Sequence, residues 1–177
     1  MSFIKSIKKN IEKITLYKLT EKVLENSIVP VNLFTDSISI CFLDVETTGT
    51  NRENDKIIEI ALKLVKLDKQ NGNIISFESS YESFQDPEKN ISKEITKITG
   101  ITNEMVQGLE INWETVEAIF EKSEFIIAHN AGFDRAFLDR YLPLSKDKIW
   151  TCSINDINWL ERDFTKKGLE ILCYWHG

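Results

Sequence analysis

An apolar stretch that ends in two carboxylates constrains this chain more than any other feature. Residues 38–45, Ile-Ser-Ile-Cys-Phe-Leu-Asp-Val, alternate at first and then become continuously apolar, which predicts a central strand covered on both faces. Asp44 and Glu46 stand two residues apart, so both side chains leave the same face and can bind the same ion. A metal ion or a cation must compensate such charge where it is buried, and no lysine occurs between Lys22 and Lys56. Taken alone, the pair fits a metal site and a strand end in solvent about equally well.

Hydrophobic periodicity predicts an α/β domain around this strand. The predicted elements are strands at residues 57–67, 74–83, 125–128 and 149–152, helices within 92–123 and at 131–141, and two final helical stretches. Asn71-Gly72 separates the first two of these strands and is a hairpin signal, so an antiparallel ribbon should adjoin the central strand. Trp113, Val116 and Phe120 are spaced as the buried stripe of a helix.

The first 35 residues have the composition of a separate module. Four isoleucines recur at helical spacing with lysines nearby: Ile4, Ile7, Ile11 and Ile14. This period predicts an amphipathic helical extension over residues 1–35, followed by the main domain over residues 36–177. The extension holds six Lys and three Glu, a net +3, and the whole chain is −6. Its basic face could contact nucleic acid, a membrane surface or a partner, although a solvated face on a docked helix is commoner.

Composition limits the class of protein. With 42% hydrophobic and 28% charged residues, the chain is typical of a globular protein, not a disordered one. No apolar run approaches the roughly 18–20 residues that span a bilayer, and no signal peptide is evident, so a cytoplasmic protein is expected. Three scattered cysteines and two histidines favour neither a disulfide framework nor a zinc site. A net charge of −6 argues against a protein that binds nucleic acid over a large basic surface. It does not argue against an enzyme that binds only a few nucleotides.

Four segments resemble, in order, the motifs of one enzyme family. They are Phe42-Leu-Asp-Val-Glu-Thr-Thr-Gly49, Ile57-Ile-Glu-Ile-Ala61, Ile95-Thr-Lys-Ile-Thr-Gly-Ile-Thr102, and Ile126-Ile-Ala-His-Asn-Ala131 with the following Phe133-Asp134 and Phe137-Leu138. Together they resemble the DnaQ-like (DEDD, in particular DEDDh) 3′-to-5′ exonucleases, as in the proofreading subunit or domain of bacterial replicative DNA polymerases. The resemblance implies an α/β, RNase H-like exonuclease fold. Its central mixed sheet combines an antiparallel ribbon of three strands with parallel strands, and helices flank it.

The resemblance also implies residue roles. Asp44, Glu46 and Asp134 would be catalytic carboxylates that bind two divalent ions, Mg²⁺ or Mn²⁺, and Glu46 would help to position the attacking water. Six further residues would contact the terminal nucleotide or support the site: Thr47, Thr48, Gly49, Thr99, Asn130 and Phe133. Asn130 and Phe133 also have structural alternatives, since the first could cap a helix and the second could pack in the core.

The sequence departs from the family pattern after the second acidic motif. The family has a fourth carboxylate near its C-terminus, with a histidine or tyrosine shortly before it, and no acidic residue follows Glu170 here. His129 precedes Asp134, but its neighbours match the earlier motif, so we interpret it as structural or peripheral and not as the general base. We therefore expect a C-terminally incomplete exonuclease domain that hydrolyses nucleic acid weakly or not at all, through truncation or natural loss.

Two functions stay open at this point. The first is a 3′-to-5′ exonuclease that acts by two-metal-ion hydrolysis on a single-stranded DNA or RNA 3′ end, in association with a polymerase or another replication or repair protein. The second is a catalytically inactive nucleic-acid-binding or docking module on the same fold. Metal binding that depends on the predicted carboxylates would distinguish them.

Overall fold

The computed structural model describes residues 3–10, 13–19 and 36–176, with backbone alone for the first two ranges. The chain forms two compact units, one of residues Ile28–Ser153 and one that combines Met1–Ser27 with Ile154–Gly177. The predicted domain boundaries, 1–35 and 36–177, stay predictions.

Two antiparallel strands stand where an N-terminal helix was expected. Strand β1 (Phe3–Asn10) pairs with β2 (Lys13–Leu19), and a β-bulge shifts the register between Ile4 and Ser6. The helix prediction is therefore wrong for these residues. β-Branched residues favour extended backbone, and a three-residue spacing also fits a strand that contains a bulge. The remainder of the prediction, at residues 1–2, 11–12 and 20–35, lies outside the described residues.

The unit of residues Ile28–Ser153 is built on the predicted mixed sheet. Its strands are β3 (Ser37–Thr47), β4 (Ile57–Asp68), β5 (Ile74–Phe84), β6 (Phe125–Ala128) and β7 (Ile149–Cys152). They are ordered β5-β4-β3-β6-β7, with antiparallel pairing on the β4 side of β3 and parallel pairing on the β6 side. The predicted Asn71-Gly72 turn lies between β4 and β5, where Gly72 adopts a φ of 73°.

Helices flank this sheet. They are α1 (Lys93–Thr99), α2 (Asn103–Val106), α3 (Trp113–Lys122) and α4 (Ala131–Leu138). Helices α3 and α4 pack on β3, and Val116, Phe120 and Phe137 are fully buried there. Trp113 is only half-buried and stacks on Tyr141, with ring centroids 4.9 Å apart. Burial of each such large side chain contributes roughly 1.5–3 kcal/mol to the free energy of unfolding. The packing in this layer therefore fixes the position of α4.

The opposite face of β3 is open, contrary to the prediction of a strand covered on both faces. Cys41, Leu43 and Val45 point into the core, whereas Phe42 on the other face is 43% exposed and Asp44 is exposed. The continuous apolar sequence from Cys41 to Leu43 therefore belongs to a strand with only one buried face. Both β3 carboxylates lie on the open face.

The described end of the chain is helical, as predicted. A short 3-10 turn covers Leu160–Arg162 and helix α5 covers Leu169–His176. The rings of Trp159 and Phe164 meet edge to face at 5.7 Å, and both approach His176. No helix in the described ranges is long and apolar enough to span a membrane.

Candidate active site

A backbone hydrogen bond brings the third predicted carboxylate to the other two. Strand β3 carries Asp44 and Glu46 near its end, and the first turn of α4 carries Asp134. The backbone N–H of Val45 donates to Asp134 Oδ1 over 3.2 Å, across 89 positions of sequence. Because Val45 lies between Asp44 and Glu46, this bond holds the Asp134 carboxyl at the end of β3.

The turn between β6 and α4 aims Asp134. Asn130 stands at the N-cap with a left-handed φ of 74°, a conformation that asparagine tolerates better than most residues. Its carbonyl accepts from Phe133 N at 2.7 Å, whereas its side chain makes no capping hydrogen bond. Asn130 therefore shapes the chain reversal that starts α4 by its backbone conformation.

Burial raises the pKa values of all three carboxyl groups, and the charge of Asp44 raises those of the other two further. Burial, followed by the charge of Asp44, raises the pKa of Asp134 from 3.8 to about 7. Burial, followed by Asp44 and Glu59, raises the pKa of Glu46. Desolvation by the surrounding protein also raises the pKa of Asp44, although its side chain is exposed on the open face, and the interaction with His129 opposes that rise. The cluster thus concentrates negative charge that a cation would stabilise.

Glu59 is a fourth acidic neighbour that the sequence reasoning did not assign to the site. It lies on β4 directly opposite Glu46. Burial, followed by the charges of Glu82 and Asp44, raises its pKa. An acidic residue between apolar neighbours in Ile57-Ile-Glu-Ile-Ala61 was the available signal.

His129 interacts electrostatically with one of the three carboxylates. It follows β6, the parallel neighbour of β3, and its Nδ1 is 2.8 Å from Ser153 Oγ. Its interaction with Asp44 lowers the pKa of that carboxyl, against the larger effect of burial. No described contact gives His129 the role of a general base.

The hydroxyls of the Thr-Thr-Gly segment are engaged within the protein. Thr47 is 6% exposed and its hydroxyl donates to the carbonyl of Gly49 at 2.6 Å. The Thr48 hydroxyl donates to Asp55 Oδ1 at 2.8 Å and accepts from Lys56 N at 3.1 Å. A Cβ at Gly49 would overlap the Asp55 carboxylate, so glycine is required there for close approach.

Asp55 holds the loop that follows this segment. Its carboxylate also accepts from Asn51 N at 2.9 Å and from Lys89 Nζ at 3.0 Å. Arg140, beyond the end of α4, donates to the backbone carbonyls of Arg52 and Asp55. The loop is thereby tied both to Lys89 and to the chain that continues from α4.

Replacing Asp55 with alanine should destabilise the protein by roughly 2 kcal/mol. The change removes the acceptor of Thr48 Oγ1 and of Asn51 N, and one of the two acceptors of Lys89 Nζ. Urea unfolding measures the effect, with Asp147→Ala, an exposed aspartate of the same unit, as the control expected within about 0.5 kcal/mol. Equal stability of the two variants would show that Asp55 does not anchor the loop.

Two other predicted substrate residues have structural contacts. The Thr99 hydroxyl donates to Ile95 O at 3.0 Å and accepts from Ile101 N at 3.1 Å at the end of α1. Phe133 packs against the core and lies 5.0 Å from Phe137 between ring centroids. No described contact joins Thr99 to the carboxylates, and the proposed nucleotide contacts of both residues stay predictions.

The donor set has the chemistry of a hard-cation site. Asp44, Glu46 and Asp134 offer only oxygen ligands, which Mg²⁺ and Mn²⁺ prefer. Among residues 36–176, no lysine or arginine forms an ion pair with any of them. No three His, Cys, Asp or Glu side chains in the described ranges form a set ready to hold a metal ion.

Comparison with known proteins identifies the family. A model described as an exonuclease, RNase_T, matches residues 41–167. A PolC-type DNA polymerase III from Clostridium perfringens is 41% identical over 101 residues, which are 56% of this chain and 6% of that protein. The PolC-type enzyme of Staphylococcus epidermidis is 32% identical over 145 residues, 76% of this chain and 9% of that one. The chain thus spans less than a tenth of the length of these relatives.

A solved structure shares the fold. The zinc-ion-bound form of the E. coli ExoI–ssDNA complex aligns with a TM-score of 0.52 at 20% identity, over 66% of this chain and 28% of that one. This similarity confirms the RNase H-like exonuclease architecture, and the family match extends over most of the described sheet and helices. The chain therefore belongs to the RNase_T family of DnaQ-like exonucleases.

Proposed function

We propose that this chain provides a 3′-to-5′ exonuclease site in which Asp44, Glu46 and Asp134 bind two Mg²⁺ or Mn²⁺ ions. The single observation that carries the proposal is the hydrogen bond from Val45 N to Asp134 Oδ1 at 3.2 Å, which joins carboxylates from distant parts of the chain. Burial of unpaired carboxylates is costly, and divalent cations offset that cost. The family is metal-dependent, and the donor set fits a hard ion.

We assign each of the three carboxylates a role in phosphodiester hydrolysis. Two divalent ions would supply an activated water and charge stabilisation for the leaving oxygen. Asp44 and Asp134 would hold these ions, and Glu46, on the same face as Asp44, would bind one ion and orient the water. The Thr47–Gly49 segment presents its backbone to the terminal nucleotide, because both of its hydroxyls are engaged internally.

The substrate that we propose is a DNA 3′ end. The relatives described as DNA polymerase III support DNA over RNA, and they support association with a replicative polymerase. The weak turnover expected from the unmatched final motif stays a prediction, so the decisive test is binding and not hydrolysis.

Calorimetric titration of Mn²⁺ tests the proposal. We expect the unsubstituted chain to bind Mn²⁺ at pH 8, and Asp134→Asn to weaken that binding at least 10-fold, because a neutral amide replaces an anionic oxygen ligand. Asp147→Asn removes the same charge from an exposed position and should leave the affinity unchanged.

The alternative, a catalytically inactive nucleic-acid-binding or docking module, predicts a different result. Such a module should bind Mn²⁺ with no dependence on Asp134, or not at all. Either result would reject the proposed exonuclease site, because every step assigned above requires the ions at the end of β3.

A further inference from the structure

We propose, building on the exonuclease site above, that His129 is a substrate-contacting residue whose Nε2–H donates a hydrogen bond to a phosphate oxygen of the bound terminal nucleotide. The family resemblance placed His129 outside the chemistry. The structure shows three features of this ring that a peripheral residue has no need of: a fixed orientation, a nitrogen without a partner among the described residues, and a position beside Asp44.

The ring orientation is fixed from the neighbouring strand. Nδ1 of His129 is 2.8 Å from Ser153 Oγ, and the backbone N–H of Ser153 donates to Ala128 O at 3.1 Å. The second bond continues the β6–β7 ladder, so Ser153 is held by the sheet. When the Ser153 hydroxyl donates to Nδ1, the ring proton resides on Nε2.

The other ring nitrogen is shielded from solvent and lacks a hydrogen-bond partner. Nε2 of His129 is buried and makes no hydrogen bond to any residue that the structure describes. Leaving a buried polar atom unsatisfied costs roughly 1–3 kcal/mol, so native proteins keep few such atoms. A ligand oxygen would satisfy this one once the groups that shield it from solvent move aside.

The strand register places His129 next to a metal-binding carboxylate. Ile127 of β6 lies opposite Phe42 of β3 in parallel pairing. Asp44 lies two positions further along β3, and His129, the first residue after β6, lies two positions beyond Ile127, so both residues stand at the same end of the sheet. The electrostatic interaction between His129 and Asp44 agrees with this placement.

The chemistry of the site selects a phosphate oxygen as the acceptor. No hydrogen bond joins Nε2 to the Asp44 carboxylate among the contacts of the described chain, and the proposal assigns the acceptor to the ligand. The proposed reaction brings a phosphodiester to the ions that Asp44 holds, and an anionic oxygen is a strong acceptor for an imidazole N–H. The contact would orient the phosphate and leave the attacking water to Glu46.

Calorimetry with two nucleotide probes tests this contact. The full chain is saturated with Mn²⁺ and titrated with dTMP and with thymidine, which lacks the phosphate. With each protein saturated with Mn²⁺, we expect His129→Leu to weaken dTMP binding about 10-fold, the equivalent of one hydrogen bond to a charged group, and to leave thymidine binding unchanged. Equal dTMP affinity in the variant, or the same loss for thymidine, would overturn the proposal.

A matched pair of amide variants separates the contact from a structural role. The side chain of His129→Gln can place an N–H near the position of Nε2, whereas the shorter side chain of His129→Asn reaches only that of Nδ1. We expect the Gln variant to bind dTMP several-fold more tightly than the Asn variant, with similar thermal unfolding. Equal dTMP affinities, or a difference that follows the unfolding temperature, would reject the phosphate contact even if His129→Leu fails to fold.

The proposed function and this inference fail in different ways. Loss of Asp134-dependent Mn²⁺ binding refutes the exonuclease site, and the inference with it. Normal Mn²⁺ binding combined with dTMP affinity that is insensitive to His129 refutes the phosphate contact and leaves the exonuclease site in place.

Discussion

Asp134→Asn should stabilise the metal-free protein at pH 8 and make it less stable than the unsubstituted protein once Mn²⁺ is added. The amide introduced by this substitution keeps a carbonyl oxygen that can accept from Val45 N, so the hydrogen bond at the end of β3 can persist. What the substitution removes is a buried negative charge beside Asp44 and Glu46. Without metal that charge is unfavourable, and with metal it becomes a ligand.

The sign follows from the direction of the pKa shift. Burial and Asp44 raise the pKa of Asp134 from 3.8 to about 7, so the folded state binds its proton more tightly than the unfolded chain does. The associated stability is complete below pH 4 and is lost as the pH rises through 7. A shift of this size sets an upper bound of about 4 kcal/mol, and relaxation around the charge reduces it.

Thermal unfolding at two pH values measures this effect. At pH 8 without metal, Asp134→Asn should unfold at a temperature several degrees higher, since each kcal/mol shifts the midpoint by roughly 2–4 °C. At pH 5 the difference should shrink, because Asp134 is already protonated in the unsubstituted fold. Mn²⁺ at 100 times its dissociation constant should then stabilise the unsubstituted protein by about 2.7 kcal/mol and the variant by less. A variant that is less stable at pH 8 without metal would contradict the assigned charge burial.

Phe137→Ala should lower the free energy of unfolding by about 3–5 kcal/mol. Phe137 is fully buried in the core cluster between the sheet and α4, and removing its ring leaves a cavity that neighbouring residues fill only in part. Because Phe137 lies one turn after Asp134 on the same helix, loosening this anchor should also weaken Mn²⁺ binding. A total stability of roughly 5–15 kcal/mol is typical, so this loss is a large share.

Phe42→Ala provides a matched control on β3. Phe42 has the same side chain but is 43% exposed on the open face of the sheet, so its replacement should cost well under half as much. Urea unfolding of both variants gives the two free energies, and calorimetry gives the Mn²⁺ affinities. Similar losses in the two variants would mean that α4 is not anchored by the core as described.

Local sequence pattern was sufficient for most of the fold. The two-residue periodicity of residues 57–67 and the Asn71-Gly72 turn predicted the antiparallel ribbon, and the structure has β4 and β5 there. The stripe of Val116 and Phe120 likewise predicted α3. These predictions succeeded because the spacing of apolar side chains that buries one face of a helix or strand can be read from a short stretch of sequence.

The same reasoning failed where more than one backbone shape satisfies a pattern. Isoleucines at a three-residue spacing fit a helix, but residues 3–10 form a strand with a bulge. The run from Cys41 to Leu43 fits a strand with two buried faces, but Phe42 reaches solvent. Neighbouring elements decide between such shapes, and one segment of sequence does not contain them.

The sequence by itself determined which side chains could carry the chemistry, since the Asp-Val-Glu spacing alone puts Asp44 and Glu46 on one face of a strand. Only the tertiary structure decided that the Asp134 carboxyl accepts a hydrogen bond from the backbone of Val45 and that Glu59 lies opposite Glu46. It also decided that Nε2 of His129 is buried without a hydrogen bond to any described residue. These contacts depend on strand order and on the packing of α4, which are set by long-range burial of apolar surface. The periodicity of a single segment does not predict these long-range contacts.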